Sequence, residues 1–373
     1  NWADVGDEYY LQIETYDEQH GKYIDGVKIN VKIISKGGEL RHDFGEVATE
    51  DGIYRNSIII PSMDWYAGNI LSVTGEYYGV EKTIEKEFEV FKNKSGASSN
   101  YGAGATDCAH VSPVSVQAQE AKPKGIAFSK SGEKMFIVGN GGDGTDEDVD
   151  EYTLTGAYCI GTATYVDSFD ISSEDIKPNA IAFSKSGEKM FIVGNSGNDV
   201  NEYILTAAWD VSTASFVDNF KVNTQDTEPE GIRFNDSGEK MFIVGNDGKD
   251  VSEYTLTAAW DVSSATYVDS FDLSNEENSP KGIAFSKSGE KMFIVGNANN
   301  NVHEYILTAA WDVSSASFVD SFSVKSEDAG PNGIAFSKSG KKMFIAGNIT
   351  DSILEYTLSV AWDVSSASFV DSF

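Results

Sequence analysis

A seventeen-residue phrase recurs five times along the 373-residue chain, and this repeat constrains the fold more than any other feature. The copies span 124–140 (KGIAFSKSGEKMFIVGN), 179–195, 230–246, 281–297 and 332–348. A proline precedes each copy: Pro123, Pro178, Pro229, Pro280 and Pro331, at spacings of 55, 51, 51 and 51 residues. Extra residues in GGDGTDEDVDEY explain the longer first spacing. A fixed period of this length indicates one supersecondary unit that stacks on its own copies.

Each repeat predicts four short strands, which we name a to d. GIAFS forms strand a, an S-G turn leads to KMFIVGN as strand b, VxEYxLT forms strand c, and AAWDVSS turns the chain into ASFVDSF, strand d. Strand b is apolar throughout, so both of its faces must be covered, whereas strand c alternates as expected nearer a rim. The predicted fold class is therefore all-β, with a β-propeller of five four-stranded repeats over 108–373 favoured over other stacked β arrays.

Residues 1–92 have a different pattern. Segments such as YYLQIETYD and GVKINVKIIS alternate or are β-branched, and Gly, Asp and Pro turns separate them. This predicts a small antiparallel β-sandwich of immunoglobulin-like type. The Gly/Ser-rich residues 93–107 predict a flexible linker.

The repeats over 111–373 resemble those of secreted YVTN and NHL-like propellers, through AFSKSGEKMFIVGN, EYTL and AWDVSSASFVDSF. They are especially similar to tandem repeats in surface proteins of marine archaea and of marine viruses. The segment DGIYRNSIIIPSMDWYAGNILSVTGEYYG and its continuation resemble an immunoglobulin-like module of archaeal cell-surface proteins, which implies a spacer role. The four Trp-Asp dipeptides resemble WD-repeat blades, but the Gly-His partner of that family is missing.

The formal net charge is −31 at pH 7, which argues against binding to nucleic acid or an anionic membrane. No stretch approaches the ~18 apolar residues that span a bilayer. The sequence carries no signal peptide and begins with Asn1, which we interpret as a processed or excerpted polypeptide.

Lysines and glutamates recur at one place in every repeat. We predict Lys-to-Glu pairing between strands as a part of the blade architecture. These residues are Lys134, Lys189, Lys240, Lys291 and Lys342 with Glu151, Glu202, Glu253, Glu304 and Glu355.

The first repeat differs in its acidic insertion. Its carboxylates could supply oxygens to Ca²⁺, which is the only cofactor that the sequence suggests. The candidate ligands are Asp143, Asp146, Asp148 and Asp150, with Glu147 between them. The spacing does not match a helix-flanked calcium loop, so a solvated acidic turn is the alternative.

The two cysteines, Cys108 and Cys159, both lie where the first repeat departs from the consensus, and we predict a disulfide between them. Asn93, Asn235 and Asn348 begin N-glycosylation sequons. His20, His42, His110 and His303 lie in unrelated contexts, and the sequence carries no GxSxG, HExxH or P-loop motif.

These observations predict a non-catalytic, exported protein at the cell surface. It would act as a structural or adhesive component, in a surface layer or filament, and contact copies of itself, other surface proteins or glycans through propeller faces and strand edges. The alternatives are a ligand-binding or hydrolytic propeller with calcium at 143–150, and a virion or appendage subunit.

The chain ends on the phrase AWDVSSASFVDSF, with a complete strand d predicted at 368–373, although 110–116 (HVSPVSV) predicts a further strand d at the entry to the first repeat. Either further blades follow Phe373, or one strand is left to pair with another chain.

Overall fold

The computed structural model describes residues 8–14, 16–17, 22–23, 28–35, 40–48, 53–59, 69–77, 80–88, 116, 119–140 and 147–373. The chain divides into two compact units, Asn1–Asp107 and Cys108–Phe373.

The described residues of the first unit form eight strands: β1 (Glu8–Glu14), β2 (Tyr16–Asp17), β3 (Lys22–Tyr23), β4 (Lys28–Ser35), β5 (Leu40–Ala48), β6 (Ile53–Ile59), β7 (Asn69–Tyr77) and β8 (Val80–Phe88). Antiparallel pairing gives one four-stranded sheet in the order β5-β4-β7-β8, and β1 pairs with β6. The immunoglobulin-like assignment of residues 1–92 stays a prediction, and the linker at 93–107 lies outside the described residues.

The second unit is a five-bladed β-propeller, which confirms the predicted all-β fold of the repeats. Blade 1 comprises β9 (Pro123–Phe128), β10 (Lys134–Gly139), β11 (Asp148–Thr153) and β12 (Thr164–Asp170). Blade 2 comprises β13 (Pro178–Phe183), β14 (Lys189–Gly194), β15 (Asp199–Leu205) and β16 (Ala214–Lys221). Blade 3 comprises β17 (Pro229–Phe234), β18 (Lys240–Gly245), β19 (Asp250–Leu256) and β20 (Ala265–Asp272). Blade 4 comprises β21 (Pro280–Phe285), β22 (Lys291–Gly296), β23 (Asn301–Leu307) and β24 (Ala316–Ser323). Blade 5 comprises β25 (Pro331–Phe336), β26 (Lys342–Gly347), β27 (Ser352–Leu358) and β28 (Ala367–Ser372).

Between strands c and d, each blade carries a single-turn 3₁₀ helix: Ile160–Thr162, Val211–Thr213, Val262–Ser264, Val313–Ser315 and Val364–Ser366.

The innermost strands close the ring. β9 of blade 1 contacts both β13 of blade 2 and β25 of blade 5, and each other inner strand contacts the two inner strands beside it. Within the described strands every blade is one contiguous repeat, and none of these strands is exchanged between the two ends of the array.

The hydrophobic core lies between adjacent blades rather than at one centre. Strand b contributes more of it than any other strand, because a Met-Phe-Ile run buries side chains on both faces of the sheet. The cluster between blades 2 and 3, for example, joins Phe191 and Val193 to Met241, Ile243 and Tyr254. Strand c is also buried on both faces, with Ile204 as the exposed exception in β15, so the expectation of an alternating strand near the rim was wrong. The strand is covered because the next blade's c–d turn packs over it.

The ring closes at the interface between blades 5 and 1, which we call the seam. Phe373 exchanges two backbone hydrogen bonds with Ile353, and its ring lies against Gly161 of blade 1. Val116 is 1% exposed and packs in the same cluster. It stands seven residues before its repeat proline, as do Ile171, Val222, Leu273 and Val324, all fully buried. At the seam, Val116 therefore fills the buried position that these four residues fill after strand d of the other blades. The remainder of the predicted entry strand, 110–115, lies outside the described residues.

Candidate functional site

The recurring lysines and glutamates form clasps between blades, which confirms their predicted pairing. The Lys Nζ to Glu Oε1 distances are 2.6, 2.6, 2.6, 2.7 and 2.8 Å from blade 1 to blade 5. In blade 2, Lys189 Nζ also donates to the Trp260 carbonyl of blade 3 at 2.7 Å, and Glu202 Oε2 accepts the Val262 N–H at 3.0 Å. The same contacts recur around the ring, and Lys342 of blade 5 reaches the Tyr158 carbonyl of blade 1 at 3.2 Å. These charges hold the ring together and are not available for chemistry.

The Trp-Asp dipeptides shape the c–d turns. Asp261, like Asp312 and Asp363, caps its 3₁₀ helix by accepting the N–H and hydroxyl of the serine two residues later. The tryptophan before it has a positive φ of 61° and lies against Gly238 of the a–b turn. The dipeptide is thus a local turn device and not a WD-repeat network.

A second recurring carboxylate lies between strands d and a, and the sequence analysis missed it. Its members are Glu120, Asp175, Asp226, Glu277 and Asp328, each at most 3% exposed. Each accepts the backbone N–H two residues later, at 2.6 to 2.8 Å. In blade 3, Asp226 also accepts the Gly248 N–H from the b–c turn at 2.7 Å. Burial raises the pKa of Asp226, against the opposing effect of these N–H donors. These carboxylates therefore join the d–a loop to the b–c turn and have a structural role.

The channel along the ring axis has two mouths that differ in chemistry. The proline mouth, where the inner strands begin, carries Lys124, Asn179, Glu230, Lys281 and Asn332 just after the repeat prolines. Lys124 Nζ donates to Asn179 Oδ1 at 2.8 Å, and Lys281 Nζ lies 2.6 Å from Glu230 Oε1. Burial lowers the pKa of Lys124 and raises that of Glu230. Perturbed groups at a channel mouth suit a functional site, but this ring is internally paired and contains no hydroxyl, thiol or imidazole.

Between its mouths the channel is almost closed. The cavity measures about 20 Å³ and is lined by isoleucines and by small residues of the five inner strands, such as Gly125 and Ala180. No substrate larger than a water molecule fits that volume.

The hairpin mouth, at the a–b turns, carries a ring of lysines, and the same turns also carry the exposed Glu133, Glu188, Glu239 and Glu290. Lys130, Lys185, Asp236, Lys287 and Lys338 occupy the same position of successive blades and are all exposed. Lys185 Nζ and Asp236 Oδ2 lie 3.4 Å apart, so neighbouring side chains of this ring reach one another. Arg233, where the other blades have Ala127, Ala182, Ala284 and Ala335, lines the channel. The sequence analysis did not single out this residue, although it is the only arginine of residues 108–373.

The predicted calcium residues are only partly described. Asp148 and Asp150 lie in β11 rather than in a loop, while Asp143 and Asp146 lie outside the described residues. Among the described residues, no group of three or more His, Cys, Asp or Glu side chains is arranged to hold a metal. The calcium site stays a prediction.

Cys159 is buried and disulfide-bonded. Its predicted partner, Cys108, lies outside the described residues, so the pairing stays a prediction. Gly156 lies beside the Cys159 sulfur in the c–d turn of blade 1.

The sequons stay untested. Asn235 lies half-buried in the a–b turn of blade 3, where its Oδ1 accepts the Lys240 N–H at 3.1 Å. Asn348 is half-buried after β26, and Asn93 lies outside the described residues.

Of the four histidines, only His42 and His303 lie within the described residues, each in a different unit. His303 is 3% exposed, with Nε2 3.5 Å from Glu277 Oε2 inside blade 4. His42 lies on β5, and His20 and His110 lie outside the described residues.

The outermost strands form an apolar rim. One aromatic–valine pair per blade is 40 to 51% exposed, and we call this set the rim band. It comprises Tyr165–Val166, Phe216–Val217, Tyr267–Val268, Phe318–Val319 and Phe369–Val370. A β-bulge in every c–d pairing leaves the valine without a partner in the register.

No protein-family model matches the chain, and no curated protein matches it either. Solved structures match at low similarity. A putative 6-phosphogluconolactonase from Bacteroides uniformis has 11% identity and a TM-score of 0.43, over 93% of this chain and 98% of that one. The periplasmic gluconolactonase PpgL of Pseudomonas aeruginosa has 13% identity and a TM-score of 0.41, over 98% and 95%. A chain of a nidogen/laminin complex has 11% identity and a TM-score of 0.42, over 93% of each. These similarities are too low to support an inference about function. No helix in the described part of the chain is long and apolar enough to cross a membrane.

Proposed function

We propose that this protein is a non-catalytic structural or adhesive component of a cell surface, virion or appendage, in which the rim band mediates contacts with other copies of the chain. The rim band supports this proposal because it exposes the same apolar pair on every blade. A surface repeated around a ring offers several equivalent contacts, which an extended assembly requires.

The contacts would be made by side chains rather than by extension of a sheet. A bulge interrupts each outer strand, and an aspartate follows each rim valine and is exposed in blades 1 to 4, for example Asp218 after Val217. Both features discourage edge-to-edge strand pairing. This replaces strand-edge polymerisation as the favoured mode of contact.

The remaining assignments complete the proposal. Export, an immunoglobulin-like spacer at 1–92, glycosylation and calcium binding fit a surface protein and are kept as proposals. A hydrolytic role gains no support from the proline mouth, because the channel behind it is almost closed and its ring contains no hydroxyl, thiol or imidazole.

Sedimentation velocity over a range of NaCl concentrations tests the proposal. Because the chain carries a formal charge of −31, association should strengthen as salt screens repulsion. A variant with all five rim valines replaced by threonine keeps the β-branched shape and should remain monomeric. The matched control replaces Ile176 and Ile349, exposed apolar residues outside the rim, by threonine and should still associate. A wild-type protein that is monomeric at every salt concentration, or a rim variant that associates normally, would overturn the proposal.

A further inference from the structure

Two departures from the repeat consensus meet at the hairpin mouth. Arg233 of blade 3 replaces an alanine, and Tyr158 of blade 1 replaces the tryptophan found at 209, 260, 311 and 362. The Tyr158 ring lies against Gly132 of the blade 1 a–b turn, and its hydroxyl hydrogen-bonds to the backbone of Lys338 in blade 5. Arg233 lines the adjoining channel, and burial raises the pKa of the Tyr158 hydroxyl while the Arg233 charge lowers it. Residues from three blades therefore converge there, whereas the clasps and turns elsewhere repeat.

Arg233 is a cation without a protein counter-charge. Within the described residues, its guanidinium takes part in no hydrogen bond or ion pair. Every clasp lysine, in contrast, lies within 2.8 Å of its glutamate. Burial lowers the pKa of the Arg233 guanidinium, although arginine remains protonated at any physiological pH. A half-buried, permanent charge with free donors is stabilised by an anion that accepts them.

The surroundings add charge and space. Lys130, Lys185, Lys287 and Lys338 follow the inner strands directly, and Asp236 is the single acidic residue at that position. A shallow groove of about 770 Å³ lies beside this mouth, where Lys130, Lys338 and Trp209 line it together with Glu133. Arg233 lines the adjoining channel rather than this groove. The nearly closed channel behind Arg233 keeps a ligand at the mouth.

We propose that the hairpin mouth binds a small polyvalent oxyanion, with Arg233 as its principal contact. The planar guanidinium donates in parallel to two oxygens of a carboxylate, phosphate or sulfate group. The lysines supply the remaining charge, and the Tyr158 hydroxyl lies near enough to the guanidinium for the two to affect each other's pKa. The protein's net negative charge disfavours diffuse anion binding, so uptake of an anion requires a local site.

Isothermal titration calorimetry of the full chain at low ionic strength tests the site, with citrate, inorganic phosphate, sulfate and chloride as probes. We expect at least one polyvalent probe to bind with one site per chain and chloride not to compete at equal concentration. The preferred probe distinguishes a carboxylate site from a phosphate or sulfate site.

Substitutions that restore the consensus provide matched variants. Arg233→Ala introduces the residue of the other four blades, so the fold should tolerate it, and affinity should fall about tenfold or more. Arg233→Lys should lose less, and Tyr158→Trp should weaken binding while it restores the consensus turn. Lys325→Ala, at an exposed lysine between strands d and a, should leave affinity unchanged.

Two results would overturn the inference. One is a wild-type chain that binds none of the probes at millimolar concentration. The other is an Arg233→Ala variant with wild-type affinity and an unchanged unfolding midpoint, which would assign any binding to surface lysines.

Discussion

At the scale of single residues, the clasp glutamates combine burial with complete pairing. The Glu253 side chain is 4% exposed, and its two oxygens accept from Lys240 at 2.6 Å and from the Val313 N–H at 3.1 Å. Removing the carboxylate leaves the partly buried Lys240 ammonium without its counter-charge. It also leaves the Val313 N–H without an acceptor. Breaking a clasp should therefore lower the free energy of unfolding more than breaking a surface ion pair does.

We predict that Glu253→Ala lowers the free energy of unfolding by about 3 kcal/mol. Asp236→Ala, which breaks the exposed Lys185–Asp236 pair, should cost less than about 1 kcal/mol. Urea unfolding followed by tryptophan fluorescence measures both. Equal losses in the two variants would show that the clasp contributes no more than a surface pair.

The repeat made the clasp residues predictable, because five copies of Lys and Glu at one place could only be architectural. The sequence could not show that each clasp reaches the next blade, since Lys189 and the Trp260 carbonyl are far apart in the chain. Arg233 was missed for a different reason. A search for shared residues does not look for one that departs from the pattern.

At the scale of elements, the a–b hairpin depends on a glycine and on the aromatic residue that covers it. Gly238 has a φ of 73°, and an added Cβ would lie 2.2 Å from the Trp260 ring. Trp260 itself has a φ of 61°, a left-handed conformation that costs roughly 1–2 kcal/mol for a residue with a side chain. The stack of ring on glycine offsets that cost and links two turns of one blade.

We predict that Gly238→Ala destabilises the propeller by about 2 kcal/mol or more, because it adds both a strained φ and a steric clash. The neighbouring exposed Glu239→Ala should change stability by less than about 0.5 kcal/mol. Thermal unfolding by circular dichroism compares them. A tolerated alanine at 238 would mean that the indole moves aside freely.

The order and type of the strands followed from alternation and turn residues, but their surroundings did not. Strand c was expected near a rim, yet β15 is covered on both faces by neighbouring blades. Likewise, Asp148 and Asp150 were assigned to a loop on composition, whereas their pairing with β12 extends β11. In both cases a contact distant in sequence determined the outcome.

At the scale of the whole molecule, the ring buries one tyrosine per blade. Tyr152, Tyr203, Tyr254, Tyr305 and Tyr356 are fully buried, and burial raises the pKa of each hydroxyl above its usual value. Tyr203 packs between Phe169 of blade 1 and Phe216 of its own blade, at 5.8 Å from each ring. The folded state therefore retains these protons at a pH where the unfolded chain releases them.

We predict a steep loss of stability above about pH 10, the ordinary pKa of tyrosine. A raised folded-state pKa contributes stability that is fully present below pH 10 and falls by about 1.4 kcal/mol per tyrosine per pH unit above it. Urea unfolding at successive pH values measures the slope, and absorbance at 295 nm should report ionisation of the buried set together with unfolding. Ionisation of these tyrosines while the circular dichroism stays native would contradict the prediction.

The seam between blades 5 and 1 has a consequence for assembly during folding. It is the only blade interface whose two sides are not consecutive in the chain, yet Lys342 joins it to Tyr158 with the same clasp used elsewhere. Because blade 5 presents the same surface to any copy of blade 1, blade 5 of one molecule is complementary to blade 1 of another as well as to its own. Closure of a single ring is therefore decided by effective concentration. Refolding at high protein concentration should favour oligomers in which blade 5 of one chain pairs with blade 1 of the next. Refolding at low concentration should favour monomers.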